Sequence, residues 1–424
     1  MPKFRAPRGA ADILPEEQPY WDFVSQQVER LCRLYGYRRI EPPLFEDVGL
    51  FERSVGAETD IVQKEMYTFQ DKGGDTLALR PEGTASVCRA YLEHGMQSLP
   101  QPVRLYYLLP MFRYERPQAG RYRQFHQFGF EAIGEADAAL DAEVIDLSWQ
   151  LYRAFGLKGL RLALNSIGTP ESRPRYHEAL RAYYQPHLGQ VCPDCRARFE
   201  RAPLRLLDCK QDAALAEAAP RSLDYLDGES ARHFQQLCRY LDGLDVPYTL
   251  DHRLVRGLDY YTRTVYEIQP AQEGSQSTIG AGGRYDGLIQ ELGGPPTPGV
   301  GFAGGMERII LNLKRQGVAL AATAAPRAFV AFVGEEAKAV AVRVTGELRR
   351  AGVAAALGLG DRSLKAQLRQ ASATGAAYAV ILGADELAAG AATVRDLAQA
   401  TQERVPLGTL AERLRAPGSG PSSL

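Results

Sequence analysis

Long apolar segments are absent from this sequence. No run reaches the ~18 consecutive apolar residues that a membrane-spanning helix requires. The first residues, MPKFRAPRGAADILPEE, contain no apolar core of signal-peptide length. We therefore expect no membrane partner and a cytoplasmic location.

An excess of charge of one sign is also absent. Lys and Arg total 50 against 51 Asp and Glu, so the chain as a whole creates no strong attractive field for nucleic acid. Any nucleic-acid partner must then be bound through local patches. A chain of 424 residues, 45% apolar and 24% charged, is typical of a soluble globular protein with two or three domains.

Cysteine is sparse, with six residues in the chain. Three lie close together in sequence, in CPDC (Cys192 and Cys195) and DCK (Cys209), which suggests part of a zinc site. A structural zinc ion requires four ligands. The candidates for a fourth are His187 and Cys238, and Cys238 lies far along the chain in a helical pattern. We expect a reduced, metal-free trio and no metal site, and a cytosolic location argues against a disulfide.

The most informative stretch is FRYERPQAGRYRQFHQFGFE. The runs on either side, Val103 to Phe112 and Gln124 to Ile133, predict two strands joined by a charged loop. Side chains alternate along a strand, so one face of the second strand should carry Phe125, Gln127, Gly129 and Glu131. We expect Gly129 to leave a gap between the Gln127 amide and the Glu131 carboxylate, with room for a small polar ligand.

Arginine is concentrated around the loop of this predicted hairpin. Arg113 and Glu115 should share a face of the first strand, and the loop itself carries Arg116, Arg121 and Arg123. Such a set suits an anionic, partly planar ligand such as a nucleotide. The alternative is a solvated, arginine-rich hairpin tip.

Three further segments combine turn residues with polar side chains. RPEGT places Glu82 and Thr84 at a strand-to-helix turn, where they could meet a ligand ammonium or only cap the helix. LVRGLDYY reads as a strand kinked at Gly257 beside Arg256, or as an aromatic core edge. GAGGRYDGL has Tyr285 where a dinucleotide-binding motif needs its third glycine, which excludes that fold.

The rest of the chain predicts the domain organisation. Apolar spacing between Glu16 and Tyr35 indicates an amphipathic helix, and the proline-bearing GYRRIEPPLFED after it is extended. Residues 168–244 read as a helical insertion. An Ala-rich linker (Ala319 to Pro326) precedes a βαβαβ pattern, which predicts a small α/β domain with a mostly parallel sheet. The tail APGSGPSSL is expected to be disordered.

Five segments of the chain resemble motifs of a known family. GYRRIEPPLFED, FRYER with GRYRQFHQ, and GVGFAGGMERII resemble motifs 1, 2 and 3 of the class II aminoacyl-tRNA synthetases. LVRGLDYY and GAGGRYDGL resemble the two motifs that mark the histidyl-tRNA synthetases. The resemblance covers essentially the whole chain. It implies an α+β catalytic domain on an antiparallel sheet (residues 1–325, with the insertion) and a C-terminal α/β anticodon-binding domain (326–424).

The resemblance also implies an activity and a role for each motif residue. The activity is ATP-dependent attachment of histidine to its tRNA, tRNA(His), through a histidyl-adenylate, by a homodimer that uses Mg²⁺ with ATP. Arg113 and Arg256 would be catalytic at the α-phosphate. The histidine site would comprise Glu82, Thr84, Gln127, Glu131, Arg256, Tyr260 and Tyr261. The ATP site would comprise Arg113, Glu115, Arg121, Phe125 and Arg308, and the tRNA acceptor end would meet Arg116 and Gln118.

Two alternatives belong to other classes. A catalytically silent paralogue that regulates histidine biosynthesis would share the fold, but such proteins lack the C-terminal domain and have eroded motifs, whereas both are intact here. Another class II synthetase, such as a prolyl or threonyl enzyme, would share motifs 1 to 3 but not LVRGLDYY.

Overall fold

The computed structural model describes residues 4–56, 59–270, 278–320 and 325–415, so the predicted disordered tail lies outside the described residues. The chain forms two compact units, Met1–Leu320 and Ala321–Leu424. No helix in the described residues is long and apolar enough to cross a membrane. The predicted domain boundary after residue 325 stays a prediction.

The described residues contain strands in both units. They are, in chain order, β1 (Arg38–Arg39), β2 (Phe45–Asp47), β3 (Tyr67–Gln70), β4 (Thr76–Leu79), β5 (Val103–Phe112), β6 (Gln124–Ile133), β7 (Leu160–Ser166), β8 (Thr249–Leu250), β9 (Thr262–Pro270), β10 (Gly280–Arg284), β11 (Gly299–Gly305), β12 (Ala328–Phe332), β13 (Ala355–Leu357), β14 (Tyr378–Leu382), β15 (Ala391–Asp396) and β16 (Gln402–Pro406).

The α-helices of the described residues alternate with these strands. They are α1 (Gln18–Leu34), α2 (Val48–Phe51), α3 (Thr84–Glu93), α4 (Ala138–Ala154), α5 (Arg173–Tyr184), α6 (Pro193–Arg198), α7 (Ala213–Glu217), α8 (Gly228–Gly243), α9 (Leu288–Glu291), α10 (Met306–Arg315), α11 (Glu335–Arg350), α12 (Leu364–Ala373), α13 (Ala384–Ala388) and α14 (Leu410–Leu414).

The first unit is built on an eight-stranded sheet with the order β1-β5-β6-β11-β10-β9-β7-β8. Its five inner pairings are antiparallel, and only the two short edge strands, β1 and β8, pair in parallel. The expected antiparallel sheet is therefore confirmed. The predicted hairpin is also confirmed, because β5 and β6 occupy the predicted residues and pair along their whole length.

One face of this sheet is covered by helices. The predicted amphipathic helix is α1, which buries Val24, Val28 and Leu31. Phe128 and Phe130 of β6 lie in the same core, and the Phe130 ring stacks on Phe302 at 5.3 Å between centroids. Burial of these apolar faces stabilises the layer and leaves the opposite face of β6 to polar residues.

The extended proline segment is fixed by a buried arginine. After β1 the chain runs through Pro42 and Pro43 to β2, which joins β4 and β3 in a small antiparallel sheet. The Arg80 guanidinium donates hydrogen bonds to the carbonyls of Pro42 (2.7 Å), Pro43 (2.9 Å) and Pro110 (2.8 Å). Carbonyls that no strand partner reaches are thus satisfied by a side chain.

The predicted insertion is helical, as expected, from α5 to α8. Its last helix is not separate from the rest of the unit, because α8 buries Phe234, Leu237 and Leu241 in the core shared with α1 and α4. The earlier part, α5 to α7, packs on the residues that flank the other face of the sheet.

The second unit has a five-stranded sheet with the order β13-β12-β14-β15-β16. The predicted βαβαβ pattern forms β12 to β14, which pair in parallel. The expectation of a mostly parallel sheet is wrong, since β15 and β16 add two antiparallel pairings. Antiparallel neighbours need no long crossover: the short helix α13 joins β14 to β15 and a turn joins β15 to β16, so the βα periodicity did not reveal these pairings.

Candidate active site

A cavity of about 870 Å³ opens on the polar face of the eight-stranded sheet. Most of the residues predicted to bind ligand line it: Glu82, Thr84, Arg113, Glu115, Arg121, Phe125, Gln127, Arg256, Tyr260, Tyr261 and Arg308. Three predicted residues, Glu131, Arg116 and Gln118, are not among the lining residues. The hairpin, the start of α3, the segment before β9 and the start of α10 therefore converge on one space.

The turn before α3 forms one end of the cavity. The Glu82 carboxylate accepts hydrogen bonds from the backbone N–H groups of Thr84 (2.7 Å) and Ala85 (2.8 Å), so it caps the helix. Burial raises the pKa of Glu82, although these two N–H groups oppose the change. Each carboxylate oxygen can accept a further bond. The capping role and a ligand-binding role are therefore compatible.

Glu131 lies directly behind this end of the cavity. The hydroxyls of Thr84 (2.8 Å) and Tyr107 (3.4 Å) donate to its Oε1, and the Tyr285 hydroxyl (2.6 Å) donates to its Oε2. A Cβ at Gly301 would lie 1.7 Å from Oε2, so only glycine leaves room for this carboxyl. Burial raises the pKa of Glu131 to about 8, against the opposing effect of the three hydroxyls.

The expected ligand gap at Gly129 is wrong. Tyr107 is the cross-strand partner of Gly129, and its hydroxyl and ring would lie 2.3 Å from a Cβ built there. The same ring passes 2.5 Å from a Cβ built at Gly83. The space between Gln127 and Glu131 therefore holds a protein side chain. The two glycines admit Tyr107 and do not themselves create a ligand site.

Arginines form the other end of the cavity. The Arg113 Nε donates to the Pro81 carbonyl (2.8 Å), and its guanidinium lies 5.5 Å from the centre of the Phe125 ring. Arg121 makes an ion pair with Glu115 at 3.3 Å. Phe125 thus presents a flat aromatic face beside cationic groups, as a nucleotide site requires.

Arg308, on the first turn of α10, completes the cationic end. Its guanidinium donates to the carbonyls of Gly120 (3.1 Å) and Thr278 (2.7 Å). Its pKa is lowered, first by burial and then by the charges of Arg121 and Arg113. Three guanidiniums therefore share one region, where Glu115 offsets only part of their charge, and an anionic ligand would relieve the remaining repulsion.

Arg256 also lines the cavity. It forms an ion pair with Glu267, and its guanidinium is 5.7 Å from the centre of the Tyr261 ring. Burial disfavours its charge, but Glu267 and Tyr261 more than offset this and the pKa is raised. The kinked strand predicted here is wrong, because Leu254–Tyr261 is irregular and β9 begins at Thr262.

Among the described residues, two buried polar atoms at the cavity have neither a hydrogen bond nor an ion pair, the Gln127 Oε1 and the Arg256 Nε. The Glu115 Oε2 also lacks a hydrogen bond but is ion-paired with Arg121. Buried polar atoms in proteins are nearly always hydrogen-bonded, and atoms left over at a cavity wall indicate a place where a ligand bonds. Both belong to side chains that sequence reasoning selected.

Arg116 and Gln118 lie on the loop between β5 and β6. Both side chains are exposed, and the Gln118 backbone pairs with that of Arg121 in both directions (2.8 and 3.1 Å). The loop tip is therefore closed by its own backbone, and these side chains face outward at the rim of the hairpin.

Comparisons with known proteins identify the family. Residues 9–309 match the family described as histidyl-tRNA synthetase, and residues 327–416 match the anticodon binding domain. The chain belongs to the histidyl-tRNA synthetase family. It is 58% identical over 409 residues to a histidine–tRNA ligase of Dehalococcoides mccartyi (96% of this chain, 98% of the relative). A histidine–tRNA ligase of Desulforamulus reducens is 50% identical over 412 residues (97% and 98%).

Solved structures agree with this assignment. The apo histidyl-tRNA synthetase of S. aureus has a TM-score of 0.82 at 39% identity, and covers 97% of this chain and 99% of its own. A Bacillus halodurans chain described as an ATP phosphoribosyltransferase regulatory subunit/histidyl-tRNA synthetase has a TM-score of 0.66 at 21% identity (90% and 98%). That second likeness shows the shared fold alone.

Several lining residues of this family member were not predicted from the sequence. From β5, β9, the residue after β10 and α10 they are Tyr107, Glu267, Gln269, Tyr285 and Glu307, and from the insertion Asp194, Arg198, Asp208 and Lys210. The alternation along β9 contained a signal, because Glu267 and Gln269 are polar residues two apart in a β-prone run. The insertion residues gave none, since only the fold brings them to the cavity.

Proposed function

We propose that this cavity binds histidine and ATP side by side, joins them as histidyl-adenylate, and transfers the histidyl group to tRNA(His). The proposal rests above all on one observation. A cationic end built from Arg113, Arg121 and Arg308 and a carboxyl-bearing end built from Glu82 lie in the same cavity, and Glu131 bonds to Thr84 directly behind the second end. Family membership supports the same conclusion: enzymes of this family attach histidine to tRNA.

The carboxyl-bearing end suits the amino acid. Glu82, Thr84 and Gln127 offer acceptors for the α-ammonium group, and the Oε1 of Gln127 is unpartnered in the described residues. Glu131 and Tyr261 would take the two imidazole nitrogens, with Tyr260 packed against Tyr261 (4.7 Å between ring centroids). A carboxyl with a pKa of about 8 can either donate or accept a proton near neutrality, as imidazole can.

The cationic end suits the triphosphate. Phe125 would stack on adenine, Arg113 would bind the α-phosphate, and Arg308 would bind the γ-phosphate with Arg121 nearby. Mg²⁺ would arrive bound to ATP, and the lining carboxylates Glu115 and Glu307 are oxygen donors of the kind it prefers.

Catalysis of this reaction requires the two substrates to be positioned and the developing negative charge to be stabilised, and it requires no nucleophile from the protein. A histidine carboxylate oxygen attacks the α-phosphorus, a bond to phosphorus forms, and pyrophosphate leaves with the electron pair. Arg113 and Arg256 would stabilise the negative charge that develops on the α-phosphate oxygens. The 3′-hydroxyl of the terminal tRNA ribose then attacks the carbonyl carbon, AMP leaves, and the histidyl ester forms.

Further partners follow from the same proposal. Arg116 and Gln118, exposed on the hairpin loop, would meet the acceptor end of tRNA, and the second unit would bind its anticodon. We propose a homodimer that works in the cytoplasm.

The test is pyrophosphate exchange with each amino acid in turn, on wild type and on Arg256→Ala. Exchange should depend on histidine, and Arg256→Ala should lower it by the ~10²–10³ fold typical of removing one donor to a transition state. Arg253→Ala is the matched control, because Arg253 lies three residues away and pairs with Asp251 outside the cavity. Wild-type exchange in Arg256→Ala would contradict the role of Arg256, and exchange with another amino acid would contradict the substrate.

A further inference from the structure

The insertion brings three cysteines and one aspartate into a single cluster. The Sγ atoms of Cys192, Cys195 and Cys209 and a carboxylate oxygen of Asp212 all lie within 4.8 Å of one another. The Cys192 and Cys209 sulfurs are 3.7 Å apart, and the Cys209 sulfur is 3.4 Å from Asp212 Oδ2. All three cysteines are free thiols.

These separations match the edges of a small coordination tetrahedron. Zinc binds thiolate sulfur at ~2.3 Å, so two sulfurs on one tetrahedral zinc ion lie ~3.8 Å apart. An iron–sulfur cluster contains several metal and sulfide atoms and holds its thiolates farther apart. Three thiols and a carboxylate around one point therefore fit a single zinc ion.

The chain reaches the cluster by two arms of equal spacing, Cys192-x-x-Cys195 and Cys209-x-x-Asp212. In the first arm, Cys192 caps α6 and its sulfur accepts the Cys195 N–H at 3.4 Å. The arms are joined by the Cys192 N–H, which donates to both Asp212 oxygens (3.1 and 3.3 Å). Backbone N–H groups that orient the ligand atoms are what a metal site needs around it.

We propose that Cys192, Cys195, Cys209 and Asp212 bind one zinc ion. The proposal replaces the metal-free trio expected from the sequence, where the fourth ligand was sought at His187 or Cys238. The His187 ring packs 5.6 Å from that of Tyr183, and Cys238 lies on α8. Neither belongs to the cluster.

The site is structural, because four protein ligands fill all positions of a tetrahedral ion. Its place gives it a further consequence for the active site. Asp194 lies within the first arm and Arg198 three residues after it, while Asp208 and Lys210 flank Cys209. All four residues line the active-site cavity. The zinc ion joins the two arms and thereby fixes this wall of the cavity.

The first measurement is the metal content of the full chain, purified without chelator, by inductively coupled plasma mass spectrometry. We expect about one zinc per chain, and a chain grown or refolded with Co²⁺ should show thiolate-to-cobalt charge-transfer absorption. Cys209→Ser and Asp212→Ala should reduce the zinc content several-fold, while Cys238→Ser, the matched control, should retain it. These measurements do not depend on catalysis, so they can fail while the proposed function holds.

If the variants fold poorly, the proposal is tested on the wild-type protein instead. Thiol modification with a mercurial should release zinc, detected with a chromogenic chelator, and should open residues 188–212 to limited proteolysis. The proposal is overturned if the wild type holds no zinc and shows no cobalt spectrum, if Cys209→Ser retains full zinc, or if thiol titration finds Cys192 and Cys209 joined in a disulfide.

Discussion

Glu131→Gln should stabilise the catalytic unit above neutral pH, although it removes a carboxyl that we propose contacts histidine. In the folded protein, burial raises the pKa of Glu131 from 4.5 to about 8. In the unfolded chain the same carboxyl ionises near its ordinary pKa. Between the two values the unfolded state binds fewer protons, so this group lowers stability progressively as pH rises.

The magnitude follows from the two pKa values. Each pH unit in this window costs about 1.4 kcal/mol. The free energy of unfolding is thus lowered by ~2 kcal/mol at pH 6, ~3 kcal/mol at pH 7 and ~4 kcal/mol at pH 8. Glutamine is nearly isosteric with the neutral carboxyl and does not ionise, so the stability difference between variant and wild type should grow by ~2 kcal/mol from pH 6 to pH 8.

Thermal unfolding followed by intrinsic fluorescence measures this difference. In a unit of this size, ~2 kcal/mol corresponds to a change of roughly 3 °C in the gap between the two Tm values. Glu178→Gln, on the exposed surface of α5, is the control and should leave the gap constant. Pyrophosphate exchange on the same samples should show a raised KM for histidine in Glu131→Gln only.

A gap that does not change between pH 6 and pH 8 would refute the reasoning, because it would show that Glu131 ionises alike in both states. A Tm difference that became smaller from pH 6 to pH 8 would mean that ionisation of Glu131 stabilises the folded protein, opposite to the effect argued above. Unaltered histidine activation would leave the electrostatic argument standing and remove Glu131 from the histidine site.

The remaining predictions concern selectivity and the second unit. Because Glu131 and Tyr261 would pair buried polar groups with imidazole, phenylalanine and leucine should be rejected by ~10⁴–10⁵ in kcat/KM without editing, and efficient exchange with either would contradict this. A chain ending after Thr323 should still form adenylate but charge tRNA poorly at matched salt, because the anticodon contacts are gone. Unimpaired charging would exclude anticodon recognition by the second unit, and loss of both activities would indicate a structural role.

The sequence predicted those parts of the fold whose signal is local. Alternation along Gln124 to Ile133 correctly placed Phe125 and Gln127 on the cavity face and Phe128 in the core. The turn at Glu82 was also placed correctly, because glycine and proline punctuate a strand-to-helix transition with few alternatives. Local pattern therefore determined which face of each element is polar.

Features that depend on register between distant segments could not be predicted in this way. Tyr107 fills the space over Gly129 only because β5 and β6 pair in one register, which alternation alone does not specify. Asp212 joins the cysteine cluster through a turn whose shape is set by tertiary packing. Glu267 reaches Arg256 from another element, so nothing within LVRGLDYY indicated the pair.

Glu307 has a consequence for the nucleotide site that extends beyond its own hydrogen bonds. Its carboxylate accepts the His126 backbone N–H with both oxygens (2.8 and 3.0 Å) and lies 2.9 Å from the His126 Nδ1. Phe125 and Arg308 are the immediate chain neighbours of this bonded pair, one on β6 and one on α10. The distance from the ring that would hold the base to the guanidinium that would hold the last phosphate is thus set in advance. Any ligand that spans these two side chains must therefore fit a separation that the protein has fixed before binding.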